Sequence, residues 1–222
     1  MAASDRNLIF DRLRKAGEGR IKTPHPGKAA PPKMGSLSGR KKIDRFVEQA
    51  SQQYATVDTL SSLDDLPRYL TKWLRRQNLP QEVVIAPILE HLDWQDAKSV
   101  TTRSGPATTA DMVGVSMAYG AAAETGTVMM ISGEQTPTTL NFVPDVEIIV
   151  LSKKDISAGM EGCWDQLRAY KDKTGQMPRA VNYITGPSRT ADVEATMVLG
   201  AHGPRRLHLL LIDEASPWRK NR

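Results

Sequence analysis

Ala180-Val181-Asn182-Tyr183-Ile184-Thr185-Gly186-Pro187-Ser188-Arg189-Thr190-Ala191-Asp192-Val193-Glu194 is the stretch from which the fold class can be read. Residues 180–184 predict a buried strand, and Gly186-Pro187-Ser188 breaks it. The apolar run 195–200 predicts a short helix beyond the loop. A strand that stops, opens a polar loop and enters a helix is a unit of an open α/β sheet. Ligands of such sheets sit at the carboxyl ends of the strands. Gly186 lets backbone approach a ligand closely, with Pro187 beside it. Ser188, Thr190 and free N–H groups at a helix start can bond an anion, and Arg189 supplies charge. The same geometry serves a helix cap, with Ser188 or Thr190 at the N-cap and Asp192 or Glu194 favouring the dipole. The two uses are compatible.

Outward from this loop, short apolar runs alternate with helical periodicity. Residues 41–53, 63–77 and 156–173 carry apolar positions at helical spacing. Residues 54–60, 83–86, 112–118, 127–131, 146–151 and 207–212 read as strands. Two strands around residues 121–126 imply a tight turn or crossover there, with Gly120 and Gly126 supplying the freedom. Strands apolar throughout, separated by helices, predict an α/β fold: a three-layer, Rossmann-like α/β/α sandwich with a mostly parallel sheet covered on both faces. Residues 40–222 form that domain. Before it, residues 4–16 read as a helix and 20–39 as a linker with four prolines.

The chain has 222 residues, 40% hydrophobic and 25% charged, a globular composition. Its formal charge of +5 is unevenly placed. Residues 1–45 carry 12 Lys/Arg against 4 Asp/Glu, whereas 46–222 carry 18 against 21. The basic excess therefore belongs to the N-terminal segment, which argues against a nucleic-acid face on the domain. No apolar run approaches the ~20 residues of a membrane span, and no signal-peptide core opens the chain; the expected location is cytoplasmic. Cys163 is the one cysteine. A lone thiol cannot hold a disulfide, a Cys-rich zinc site or an iron–sulfur cluster, and Cys163 is expected in the core. The four histidines lack metal-ligand spacing, so no metal site is expected.

Two further motifs carry chemistry. Glu124, in Ala123-Glu124-Thr125-Gly126-Thr127, is the only charge between Asp111 and Glu134. A carboxylate in such a setting is expensive to bury unless hydrogen-bonded. It can serve as a general base, a nucleophile or an acceptor for a ligand, or as a turn carboxylate held by backbone N–H groups. Thr125, Gly126 and Thr127 are its candidate ligand-binding companions. Ala201-His202-Gly203-Pro204 precedes the last strand, where His202 and Gly203 are candidates for ligand contact. Dinucleotide, P-loop, hydrolase-elbow and zincin motifs are absent.

Together, Ala123–Thr127, Ile184–Glu194 and Leu199–Pro204 resemble the lactate utilization protein C family, the LUD domain. The resemblance covers most of the chain outside 20–39. It implies a fold similar to sugar-phosphate isomerases and coenzyme A transferases. It also implies a role beside two iron–sulfur proteins in oxidising L-lactate to pyruvate. With no cofactor on this chain, the iron–sulfur clusters would lie on the partner subunits. Three roles are open: a subunit binding a small anionic ligand between the three motifs, an acyl- or coenzyme A-transferase-like enzyme with Glu124 as nucleophile, and an assembly protein. A homo-oligomer is compatible with each.

Overall fold

The computed structural model describes residues 3–17, 37–191, 197–200 and 202–220. The chain divides into two units, Met1–Pro31 and Pro32–Arg222. In the first, helix α1 (Ala3–Gly17) leaves Leu8, Ile9, Phe10 and Leu13 exposed. Of the expected linker 20–39, residues 20–36 lie outside the described residues, and Gly39 already opens the next helix.

In the second unit the described elements are α2 (Gly39–Gln52), β1 (Thr56–Leu60), α3 (Leu66–Arg76), β2 (Glu82–Ile85), β3 (Thr101–Ser104), β4 (Val113–Met117), β5 (Gly120–Ala122), β6 (Thr127–Ile131), β7 (Val146–Ser152), β8 (Ile156–Ser157), α4 (Met160–Thr174), β9 (Val181–Ile184), β10 (Arg189–Ala191), β11 (Met197–Leu199), β12 (Arg206–Ile212) and α5 (Pro217–Lys220). Among the described residues, no helix is long and apolar enough to cross a membrane.

The centre is a six-stranded, wholly parallel sheet in the order β1-β12-β7-β4-β2-β3. β4 and β7 are buried at every position and β12 at all but its first residue. That is why they read as unbroken apolar runs and not as alternating ones. Alternate residues serve opposite faces. On one face Val146, Ile148, Val150, Leu210 and Ile212 pack with Leu66, Leu70, Trp73 and Leu74 of α3. These four lie on one stripe, at spacings of four, three and one.

Both ends of α3 follow from local chemistry. Ser62 Oγ accepts from the Asp64 N–H (3.2 Å), while the Ser62 N–H donates to Asp65 Oδ2 (3.2 Å), leading into the helix. At the other end Asn78 takes φ +54°, and the N–H groups of Asn78 and Leu79 return to the carbonyls of Arg75 and Leu74. This paired return is a left-handed helix stop, and Pro80 just beyond it cannot continue the helix.

On the other face Ile149, Leu151, Leu207, Leu209 and Leu211 meet Phe46 and Ala50 of α2, and also Ala121, Val128 and Met130. The last three belong to a second, four-stranded sheet, β8-β5-β6-β9. Its far side, with Met129 and Ile131, is covered by Cys163 and Leu167 of α4. Cys163 is 1% exposed, as expected of a packed thiol. Burial, with the nearby carboxylates of Glu124 and Glu161, pushes it up to about 12, an unreactive thiol.

Four local expectations change. The helix expected from Ile156 starts at Met160, because Ile156–Ser157 pairs with Ala121–Ala122 as β8 and Gly159 enters the helix extended. The residues after Gly186 form an antiparallel hairpin, β10 with β11, and not a loop leading into a helix. Gly186 and Gly200, both at positive φ near +80°, bracket it. A short apolar run such as 195–200 fits strand or helix equally, and pairing decided for strand. β9 runs antiparallel to β6 in the second sheet, so the loop after it is not at the carboxyl end of the parallel sheet. β3, with the sequence Thr-Thr-Arg-Ser, is an edge strand too polar to be read as one.

Candidate functional site

The three motifs gather around the C-terminal end of α2 and the amino end of the parallel sheet. Gly126 takes φ +69°, and a Cβ there would lie 2.3 Å from the Ala50 nitrogen. Gly186 takes φ +80°, and a Cβ there would lie 2.1 Å from the Gln53 carbonyl oxygen. Both turns thus need glycine twice over, for backbone conformation and for room. They are tied to each other by a hydroxyl chain: Thr125 Oγ1 to Thr127 Oγ1, and Thr127 Oγ1 to Thr185 Oγ1, each 2.7 Å. Thr127 is buried and Thr125 exposed, so the chain runs from core to surface.

Glu124 turns to α4. Its Oε1 accepts the Met160 N–H at 2.8 Å, at a helix start whose N-cap, Gly159, has no side chain to offer. The Glu124 N–H donates to the Ala158 carbonyl at 3.0 Å. The carboxylate therefore stands as a cap supplied from a neighbouring strand turn, satisfying an open N–H of the first helical turn and facing the positive end of the dipole. This accounts for a charge within an apolar stretch without invoking a reaction.

The second and third motifs are laced together. The Ser188 N–H donates to the Pro204 carbonyl (2.8 Å) and the Gly200 N–H to the Ser188 carbonyl (3.0 Å). Ser188 Oγ accepts the His202 N–H (3.3 Å), and Gly203 lies against Ser188. His202 itself is exposed. The backbone of Thr190 pairs with Val198 in the hairpin, so no described helix is capped by Ser188 or Thr190. Asp192 and Glu194 lie outside the described residues. Arg189 Nη2 donates to Gln53 Oε1 (3.2 Å), and its guanidinium sits 4.3 Å over the ring of Tyr54. A cation on an aromatic face is held in place while its charge stays unneutralised.

Pro187 and Arg189 form one wall of a cleft of 760 Å³ beside edge strand β1 and the start of β12. Arg76, Arg205 and Arg206 also line it, with Asp58, Trp73 and His208. His208 is 2% exposed and stacks on Trp73, ring centroids 4.5 Å apart. Its Nδ1 is 2.7 Å from Thr56 Oγ1, and its Nε2 is 2.7 Å from the Tyr69 hydroxyl. Tyr69 in turn donates to Asp58 Oδ2 at 2.5 Å. Burial, helped by the positive charges of Arg76 and Arg206, pushes His208 down to about 4 against the pull of Asp58. It is therefore neutral at pH 7. The hydrogen bonds then fix one tautomer: Thr56 donates to Nδ1, and Nε2–H donates to Tyr69, which donates to Asp58. Burial and the acceptor Asp58 raise the Tyr69 hydroxyl well above the ordinary tyrosine range.

Asp58, Tyr69, Arg76 and Arg206 belong to none of the three sequence motifs, and His208 reads from sequence only as part of the strand 207–212. The available signal was weak. Asp58 and His208 are polar breaks in neighbouring strands, and Tyr69 sits beside a helix stripe. Among the described residues, no group of three or more His, Cys, Asp or Glu is placed to hold a metal ion.

The LUD domain family model matches residues 43–212. The chain is 31% identical to lactate utilization protein C of Geobacillus sp. strain WCH70 over 102 residues, which are 46% of this chain and 42% of that protein. It is 25% identical to lactate utilization protein C of Halalkalibacterium halodurans over 180 residues, 78% of this chain and 71% of the relative. An uncharacterised protein of Neisseria meningitidis serogroup B is 39% identical over 106 residues, 47% and 44% of the two chains. The match thus spans under half the length of the Geobacillus relative. The crystal structure of a DUF162 family protein from Deinococcus radiodurans superposes with a TM-score of 0.55 at 21% identity, over 79% of this chain and 99% of that one. That likeness concerns the fold.

Proposed function

The chain belongs to the LUD domain family, and from that membership we propose that it acts in lactate utilization as a clusterless component that binds a small anionic ligand. The ligand is a carboxylate or a phosphate ester, and Arg189 is its principal partner. Electron transfer from L-lactate would fall to two iron–sulfur proteins working with this chain, since one buried cysteine cannot ligate a cluster. The observation that carries the anion reading is the pairing of Arg189. Among the described residues its guanidinium is held by a neutral amide oxygen and an aromatic face and pairs with no carboxylate, so its position is defined and its charge is available. Ser188 and the adjoining backbone tie the hairpin that holds it.

Growth on L-lactate tests the reading. Deleting the gene should abolish growth on L-lactate as sole carbon source while growth on glucose continues. The wild-type gene should restore it. Arg189→Ala, shown by thermal melting to be folded, should not. Growth of the deletion strain at the wild-type rate on L-lactate would refute the proposal.

A further inference from the structure

We infer that the cleft beside β1 takes a phosphorylated, hydroxyl-bearing ligand of nucleotide size; this rests on reading the cleft as the anion site proposed above. Charge is the first ground. Arg189 and Arg206 are hydrogen-bonded to the neutral side chains of Gln53 and Gln77. Arg76 projects its field on Tyr69 and His208. Arg205 lies 3.6 Å from Asp145, a pair more than half exposed on both sides and so worth little. Asp58 is the only carboxylate among the described residues lining the cleft, against four guanidiniums. Several guanidiniums converging on one space match the multiple oxygens of a phosphate or diphosphate, each of which accepts forked N–H pairs.

Size is the second ground. At about 30 Å³ per water molecule, 760 Å³ holds roughly 25 waters. A three-carbon acid would displace only a few of them and leave most of the guanidiniums hydrated. The volume lies in the ~300–1,000 Å³ range of sites for drug- and cofactor-sized molecules. The third ground is Asp58. Tyr69 donates to its Oδ2, with His208 3.9 Å from the same atom, and Asp58 lines a cleft of opposite charge. A carboxylate there repels a bare anion but accepts from a ligand hydroxyl, as an acidic residue does for a ribose diol. Tyr54, 64% exposed and on the same rim, carries Arg189 over one ring face and leaves exposed ring surface for a base.

Calorimetric titration of the full chain with ADP, inorganic pyrophosphate and L-lactate tests this. ADP should bind, and Arg76→Ala and Arg206→Ala, both at exposed side chains, should each weaken it about tenfold or more. Asp58→Asn keeps the shape and removes the charge. It should tighten pyrophosphate and lower the ratio of ADP to pyrophosphate affinity. If neither phosphate probe binds at millimolar concentration while L-lactate binds in an Arg189-dependent way, this inference falls and the proposed function stands. Binding of ADP unchanged by either arginine variant also overturns it. If ADP binds as described but the deletion strain grows normally on L-lactate, the proposed function falls and this inference stands.

Discussion

Glu147→Gln should flatten the pH dependence of stability between pH 6.5 and 8.5. Glu147 is the second residue of β7, between Leu207 on β12 and Gly114 on β4, and is 1% exposed. Ser116 donates to its Oε1 at a long 3.5 Å, and Oε2 has no partner among the described residues. Burial pushes the carboxyl from 4.5 up to about 8. The folded state therefore binds a proton that the unfolded chain has released. Stability from this group is complete below pH 4.5 and is lost as pH rises through 8. The whole displacement corresponds to about 5 kcal/mol, at ~1.4 kcal/mol per unit.

His208 works in the opposite sense. Its folded value of about 4 lies below the ordinary 6.5, so its contribution is complete above pH 6.5 and is lost on acidification toward 4. The two slopes oppose each other between pH 4.5 and 6.5, and above 6.5 only the Glu147 slope of the two remains. From pH 6.5 to 8.5 the wild type should lose about 2 kcal/mol, seen as a fall in Tm of roughly 4–8 °C for a chain of this size. Glutamine is neutral throughout and keeps the side-chain shape, so its melting temperature should stay level over the same range. Thermal melts in matched ionic strength at half-unit pH steps measure this. A wild-type slope equal to that of Glu147→Gln would refute the assignment of a buried, neutral carboxyl.

Two further outcomes follow from the site geometry. Gly186→Ala puts a Cβ 2.1 Å from the Gln53 carbonyl oxygen at φ +80°; left-handed strain of roughly 1–2 kcal/mol and overpacking of roughly 1–3 kcal/mol should lower the urea midpoint accordingly. Glu124→Ala should cost about 1–2 kcal/mol by uncapping α4, and Glu124→Gln, which keeps an acceptor for the Met160 N–H, should recover about half; an urea midpoint unchanged by Glu124→Ala would remove the capping role.

What could be read directly from the chain is what short-range periodicity encodes. The strands at 146–152 and 207–212 announce themselves because a doubly covered strand must be apolar at every position. The stripe Leu66, Leu70, Trp73 and Leu74 defines α3, and Asn78 defines its end. Gly126 reads from sequence as a turn glycine and Gly186 as room for a ligand; the structure shows instead that both turns lie against the backbone at the end of α2, where a side chain has no room. Tertiary pairing decided the rest. Residues 195–200 are apolar enough for helix or strand, and only the partner β10 makes 197–199 a strand. Ile156 fits the period of α4, yet register with Ala121 takes it into the second sheet. The cleft is the clearest case. Asp58, Tyr69 and His208 are separated by up to 150 positions, and none carries a local pattern. They meet because β1 pairs with β12 in parallel, Thr56 opposite His208, while α3 lays Tyr69 and Trp73 across that pair. Local sequence constrains backbone conformation over a few residues, whereas a site assembled across a parallel sheet depends on strand order and register, which are set by the whole packed core.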